Sequence, residues 1–183
     1  MAEVLVLVEH AEGALKKVST ELITAARELG EPSAVVVGAP GTAEPLIDGL
    51  KSAGAAKIYV AESDAAENYL LTPKVDVLAS LVESAEPAGV LLAASADGKE
   101  IAGRLAARIG SGVLTDVVEV KEGAVGVHSI FGGAYTVDAQ VTGDTPIITV
   151  RPECAATAPA TLPTKMPVRP LLPWEPSTIR LVL

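Results

Sequence analysis

A chain of 183 residues is long enough for one domain and a tail, and 49% apolar residues with only 3% aromatics imply a core of Val, Leu, Ile and Ala. A net charge of −9 excludes a polyanionic partner such as a nucleic-acid backbone or an anionic membrane surface. The single cysteine, Cys154, excludes an internal disulfide framework and fits a reducing compartment. Glu3–Val8 is a continuous apolar run and reads as a strand buried on both faces. No basic segment precedes it, and no apolar run approaches the roughly 20 residues of a membrane helix, so the expectation is a soluble, cytoplasmic protein without a signal peptide. A helix follows from about Leu15 to Leu29, with Leu15, Val18, Leu22, Ala25 or Ala26, and Leu29 on one face and Gly30 closing it.

Ala34–Gly38 is the second strand, and Thr42–Ala53 a helix capped by Thr42 with Pro45 in its first turn. Lys57–Ala61 is the third strand. Thr72 caps the next helix with Pro73 at its first position, and Val75, Leu78, Val82 and Ala85 form its core face before Pro87 ends it. Gly89–Ala93 is the fourth strand. The segment after it predicts a helix capped by Asp97 and stopped by Gly110, with Ile101, Leu105 and Ile109 as the buried stripe and Glu100 paired with Arg104 in solvent. Ala102, Gly103, Ala106 and Ala107 keep that helix thin enough to lie close to a sheet. This alternation predicts an α/β fold: a three-layer, doubly wound, mostly parallel sheet.

After about residue 112 the pattern changes. Val113–Val120, Ala124–Phe131, Ala134–Thr142 and Pro146–Val150 read as strands separated by short glycine-containing breaks, an antiparallel meander attached to, or continuing, the sheet. Seven of the thirteen prolines lie from Pro152 onward, where the charge balance turns slightly positive, so residues 153–183 read as a Pro-rich arm, docked or disordered, beside a domain of residues 1–152.

No chemical grouping stands out. Neither a G-x-G-x-x-G after the first strand nor a G-x-x-x-x-G-K-[ST] occurs, so Gly38 and Gly41 read as turn residues. His10, at the end of the first strand, could be an acid, base or ligand, but it lacks a second ligand at metal spacing and a structural or interface role is favoured. His128 falls in the meander. Cys154 has no basic neighbour to activate it and reads as inert. Asp97, Gly98 and Lys99 could offer a helix N-terminus to an anion, but the Asp97 carboxylate would repel one. Asp116 and Glu119 read as ordinary strand and turn carboxylates, and Trp174 as an anchor on a partner or part of a disordered tail. No catalytic, cofactor-binding or metal-ligating residue is assigned.

Taken together, Glu3–His10, Ala96–Gly110, Leu114–Val117 and Ile147–Pro152 resemble the N-terminal domain of electron transfer flavoprotein alpha subunits, in order and spacing across residues 1–152. That resemblance implies an adenine-nucleotide alpha-hydrolase-like sheet domain packed against a similarly folded beta subunit. The heterodimer would carry electrons from acyl-CoA dehydrogenases and related enzymes to a membrane quinone reductase. It also implies FAD, held mainly by a C-terminal domain whose Gly-rich, Ser-Arg and Gln-x-Gly-Gln-Thr-Gly motifs do not occur in this sequence, and AMP, held by the beta subunit. The chain therefore reads as an isolated N-terminal domain, or as a form whose tail from about residue 155 replaces the continuation. No FAD is expected on it alone. The expectation is an electron-carrier subunit rather than an enzyme. The alternatives are a stand-alone adenine-nucleotide-binding module of universal-stress-like fold and an enzyme using His10.

Overall fold

The computed structural model of the chain describes residues 2–154 and 179–182. The elements run β1 (Glu3–Leu7), β2 (His10–Ala11), β3 (Ala14–Leu15), α1 (Lys17–Ala26), β4 (Glu31–Gly38), α2 (Ile47–Ala53), β5 (Lys57–Glu62), α3 (Asp64–Asn68), α4 (Thr72–Ala85), β6 (Gly89–Ala93) and α5 (Ala96–Ile109). Then come β7 (Val113–Val117), β8 (Glu119–Lys121), β9 (Val125–Ile130), β10 (Tyr135–Gln140), β11 (Ile147–Val150) and β12 (Ile179–Val182). The main sheet has the order β12-β5-β4-β1-β6-β11-β7, with β12 antiparallel to β5 and the other six strands parallel. It is the three-layer α/β fold that the alternation predicts.

Period-2 alternation sorts the strand side chains between two cores. Val4, Val6, Val8, Val36, Leu91 and Ile148 face α1 and α2, whereas Leu5, Leu7, Val35, Val37, Leu92 and Ile147 face α4 and α5. Burial on both faces is why β1, β4, β6 and β11 read as continuous apolar runs instead of alternating ones.

The segment 146–150 departs from expectation. Ile147–Val150 is not the last strand of a meander: it enters the main sheet, parallel, between β6 and β7. All four residues are buried, which an exposed hairpin strand would not allow. The Val113–Val120 stretch also divides. Asp116, at φ 63°, makes an irregularity within β7; the strand ends at Val117, and after residue 118 β8 joins β9 and β10 in a separate antiparallel sheet.

Helix starts differ as well. Leu15 belongs to the β2–β3 hairpin, so the first helix begins at Lys17. Thr42 and Thr72 make no capping hydrogen bond: a 3-10 turn at Glu44–Leu46 precedes α2, and Leu71 occupies the cap position of α4. Asp97 lies in the first turn of α5, and Ser95 is its cap. Gly110 does take the left-handed stop, and Glu100 pairs with Arg104. Ala102 and Ala106 face the sheet, but Gly103 and Ala107 are exposed and do not thin the contact. Gly30 serves a close approach: a Cβ there would lie 2.1 Å from the Ala2 carbonyl oxygen.

Among the described residues no helix is long and apolar enough to cross a membrane. Leu91 is fully buried in the middle strand region, and Leu91→Ala should lower stability by about 2–5 kcal/mol through lost transfer energy and a cavity. Urea unfolding monitored by circular dichroism measures this, and a loss below about 1 kcal/mol would contradict the packing described.

Candidate functional site

The sheet winds outward from β1 in both directions, through β4 and β5 on one side and β6 on the other. In open α/β sheets the connections then diverge at the carboxyl edge and leave a crevice at the reversal. Here that crevice encloses about 580 Å³ and is lined by the ends of β1, β4 and β6, by the following loops and by the start of α5. Its walls are built from small residues, among them Gly38, Ala39, Ala93 and Gly98.

Its polar groups form one connected chain. Ser19 is fully buried on α1; its hydroxyl donates to the Glu9 carbonyl at 2.9 Å and accepts from the Glu9 N–H at 2.8 Å. The Glu9 carboxylate is thereby fixed at the mouth. It accepts from the Ser95 hydroxyl at 2.7 Å and from the Lys16 ammonium at 3.2 Å. Ser95 in turn accepts from the Gly98 N–H at 3.1 Å, which caps α5. Sequence reasoning missed Glu9, Ser19 and Ser95. A serine on the buried face of an amphipathic helix was the available signal for Ser19.

The residues singled out from sequence fall in different places. His10 lines the crevice, but its ring contacts only the Val37 carbonyl, at 3.5 Å, with no nucleophile or carboxylate on it among the described residues. Asp97 is exposed at the crevice rim, where its charge opposes an incoming phosphate. Gly98 packs so tightly that a Cβ would lie 2.0 Å from the Ala93 carbonyl oxygen. Gly38 lines the crevice against Thr42, and Gly41 takes φ 87° in a turn. His128 is half-buried on β9, Glu119 is exposed on β8 and Cys154 is an exposed free thiol. Trp174 lies outside the described residues.

Asp116 is not an ordinary strand carboxylate. From its left-handed backbone position it reaches Arg151 at 2.6 Å and Lys99 at 3.5 Å, while its N–H donates to the buried Thr149 hydroxyl at 2.9 Å. It thus ties β7 to the end of β11 and to the first turn of α5. The Arg151 guanidinium, against a smaller opposing effect of burial and with help from Lys99, holds the Asp116 carboxyl below its usual range. A second unanticipated carboxylate, Glu21, is buried on α1; it pairs with Lys17 at 3.3 Å and accepts the Glu153 N–H at 2.8 Å, fixing the chain's exit from β11.

The crevice does not suit a flavin. Among the described residues it is lined by no Phe, Tyr or Trp, and beside Lys16 and Lys74 the Glu9 and Asp97 carboxylates stand near the start of α5, where a pyrophosphate would approach. Among the described residues no group of three His, Cys, Asp or Glu side chains is placed to hold a metal ion.

Two expectations follow. Gly98→Ala should destabilise the fold by about 1–3 kcal/mol, because its methyl meets backbone that cannot yield; a thermal melt within a degree of wild type would refute the close approach. A carboxyl whose folded pKa is depressed stabilises above its unfolded value, about 3.9, and loses that contribution as pH falls through the folded pKa. The stability gap between wild type and Asp116→Asn, read by urea unfolding from pH 6 to 2.5, should therefore be widest above about pH 4 and close at lower pH.

Comparison with known proteins agrees with this architecture. Residues 4–171 match the family model for the electron transfer flavoprotein domain. The chain is 78% identical over 160 residues to the electron transfer flavoprotein subunit alpha of Mycobacterium tuberculosis (strain H37Rv), covering 87% of this chain and 50% of that relative. It is 75% identical over 160 residues to the Mycobacterium leprae (strain TN) subunit, with the same coverage. With the Syntrophomonas wolfei subunit it shares 31% over 155 residues, 83% of this chain and 49% of that one. The chain thus spans about half the length of these relatives, matching their N-terminal part. It belongs to the electron transfer flavoprotein family.

Proposed function

We propose that this chain is the docking and supporting half of an electron-carrier alpha subunit. It packs against an electron transfer flavoprotein beta subunit and itself carries out no bond-making step. The observation that carries the reading is the 78% identity to alpha subunits sustained over 160 residues. The chemistry of the crevice supports it: a histidine without a partner acid or nucleophile among the described residues, and carboxylates where a flavin pyrophosphate would approach. FAD belongs to the remainder of the full-length relatives, and the complex takes electrons from acyl-CoA and other dehydrogenases and passes them to a quinone reductase, in the cytoplasm. Residues 1–152 are taken as the body of the domain; of the residues beyond it, Ile179–Val182 join the main sheet as β12.

A second reading, an adenine-nucleotide-binding module of universal-stress type, draws on one observation, the position of the 580 Å³ crevice at the strand reversal. Calorimetry with AMP, ATP and FAD separates the two.

Size-exclusion chromatography with a beta subunit at micromolar concentration, followed by an absorption spectrum, tests the first reading. A complex is expected to form, and the chain alone should carry no flavin absorbance. Separate elution, or a yellow chromophore on the chain alone, would overturn it, and micromolar AMP affinity without any beta subunit would favour the second.

A further inference from the structure

The chain has five aromatic residues, four of them in the described part, and of those four only Tyr59 is buried. Phe131 and Tyr135 sit together at the tip of the β9–β10 hairpin, 81% and 64% exposed, their rings edge to face at 6.0 Å. Ile130, 38% exposed, is the cross-strand partner of Tyr135, and Val137, 44% exposed, lies two residues further along β10.

Register explains why these side chains form one surface. With side chains alternating along each strand, Val120, Gly126, His128 and Ile130 share a face with Tyr135, Val137 and Ala139. The inner part of that face is core. Val120 is buried, and a Cβ on Gly126 would strike the Leu114 and Val117 side chains at 2.8 and 2.9 Å. Towards the tip the face carries the half-buried His128 and then the exposed apolar Val137, Ile130 and Tyr135. Phe131 is also held at φ 50°, a conformation that a bulky side chain rarely adopts, although glycines follow at 132 and 133.

The size of the patch is informative. Full burial of a Phe or Tyr removes about 150–250 Å², so these four side chains leave roughly 400 Å² of largely apolar surface open. One partner in a stable complex contributes about 800 Å², of which rather more than half is apolar. The patch is thus large enough to be the apolar centre of one such footprint. A second copy of this chain is a poor occupant. A two-fold contact would bring together two chains that each carry a net charge of −9.

We propose that the Ile130–Val137 hairpin is the apolar centre of the surface that docks the beta-type companion subunit, whose matching face is an apolar hollow rimmed by lysine and arginine. This rests on the reading that the chain is an alpha-subunit docking half. The test titrates an electron transfer flavoprotein beta subunit, from the organism of a 78% identical relative, into three forms of the chain. These are wild type, Phe131→Ser/Tyr135→Ser, and Tyr69→Ser/Leu70→Ser, the last removing the other exposed apolar pair. Thermal melts establish that all three are folded. The hairpin variant should bind at least tenfold more weakly, the Tyr69/Leu70 variant within about twofold of wild type, and wild-type association should slow as salt rises. If wild type binds and the hairpin variant binds equally well, the hairpin assignment is wrong and the docking reading stands. If wild type does not bind the beta subunit, both fall. Self-association of wild type that the hairpin variant abolishes would make a second copy the occupant and overturn the proposal.

Discussion

Strand β1 is the constraint on which the rest of the structure depends. It is hydrogen-bonded on both edges, to β4 and β6, and buried on both faces, so each of its residues from Val4 to Leu7 is fixed in four directions at once. No side chain in it exceeds leucine, and its neighbours follow suit. A core of interdigitating Val, Leu, Ile and Ala keeps helix and sheet close, and the backbones approach accordingly: Gly98 meets the Ala93 carbonyl and Gly30 the Ala2 carbonyl with no room for a methyl. The low aromatic content is therefore a property of the architecture, since large rings would force the layers apart.

The carboxyl edge inherits its order from β1. Ser19 anchors the first residues beyond the strand by closing two hydrogen bonds on the Glu9 backbone, and the Glu9 carboxylate then reaches Ser95. One chain of bonds thus links a helix on one face of the sheet to the cap of α5 on the other, across the point where the winding reverses. The Asp116 cluster performs the equivalent linkage further along, joining β7, β11 and α5. Both linkages use charged groups of this edge, Glu9 with Lys16 and Asp116 with Lys99 and Arg151, to hold elements together.

The strands and layers were legible in the sequence because a doubly buried strand has a signature that does not depend on its partners. Glu3–Leu7 and Gly89–Ala93 are uninterrupted apolar runs of the right length. By the same criterion Ile147–Val150 belongs with them, and it was the hairpin-like spacing of the preceding breaks that drew it into the meander. Cap residues were misassigned for a local reason. Ser95 and Asp97 are both good acceptors two residues apart, and the choice depends on where the preceding strand ends. Carboxylates such as Glu21 and Asp116 were beyond sequence reading altogether. Their partners, Glu153 and Arg151, lie 132 and 35 positions away, and only the fold brings them together.

Phe131 and Tyr135 invert the rule that governs the interior. Of the four aromatic residues described, only Tyr59 lies within the layers, and the described residues offer no cover for the pair at the hairpin tip. Leaving that much apolar surface in water is unfavourable by about 25 cal/mol per Å², and it invites nonspecific association. The strained backbone at Phe131 adds to the cost. Neither is explained by the stability of this chain, because the hairpin tip contributes nothing to either core cluster. The cost is recovered only in a state where the tip is dry. That state needs a surface that the described residues do not supply, and a companion subunit is the occupant proposed for it.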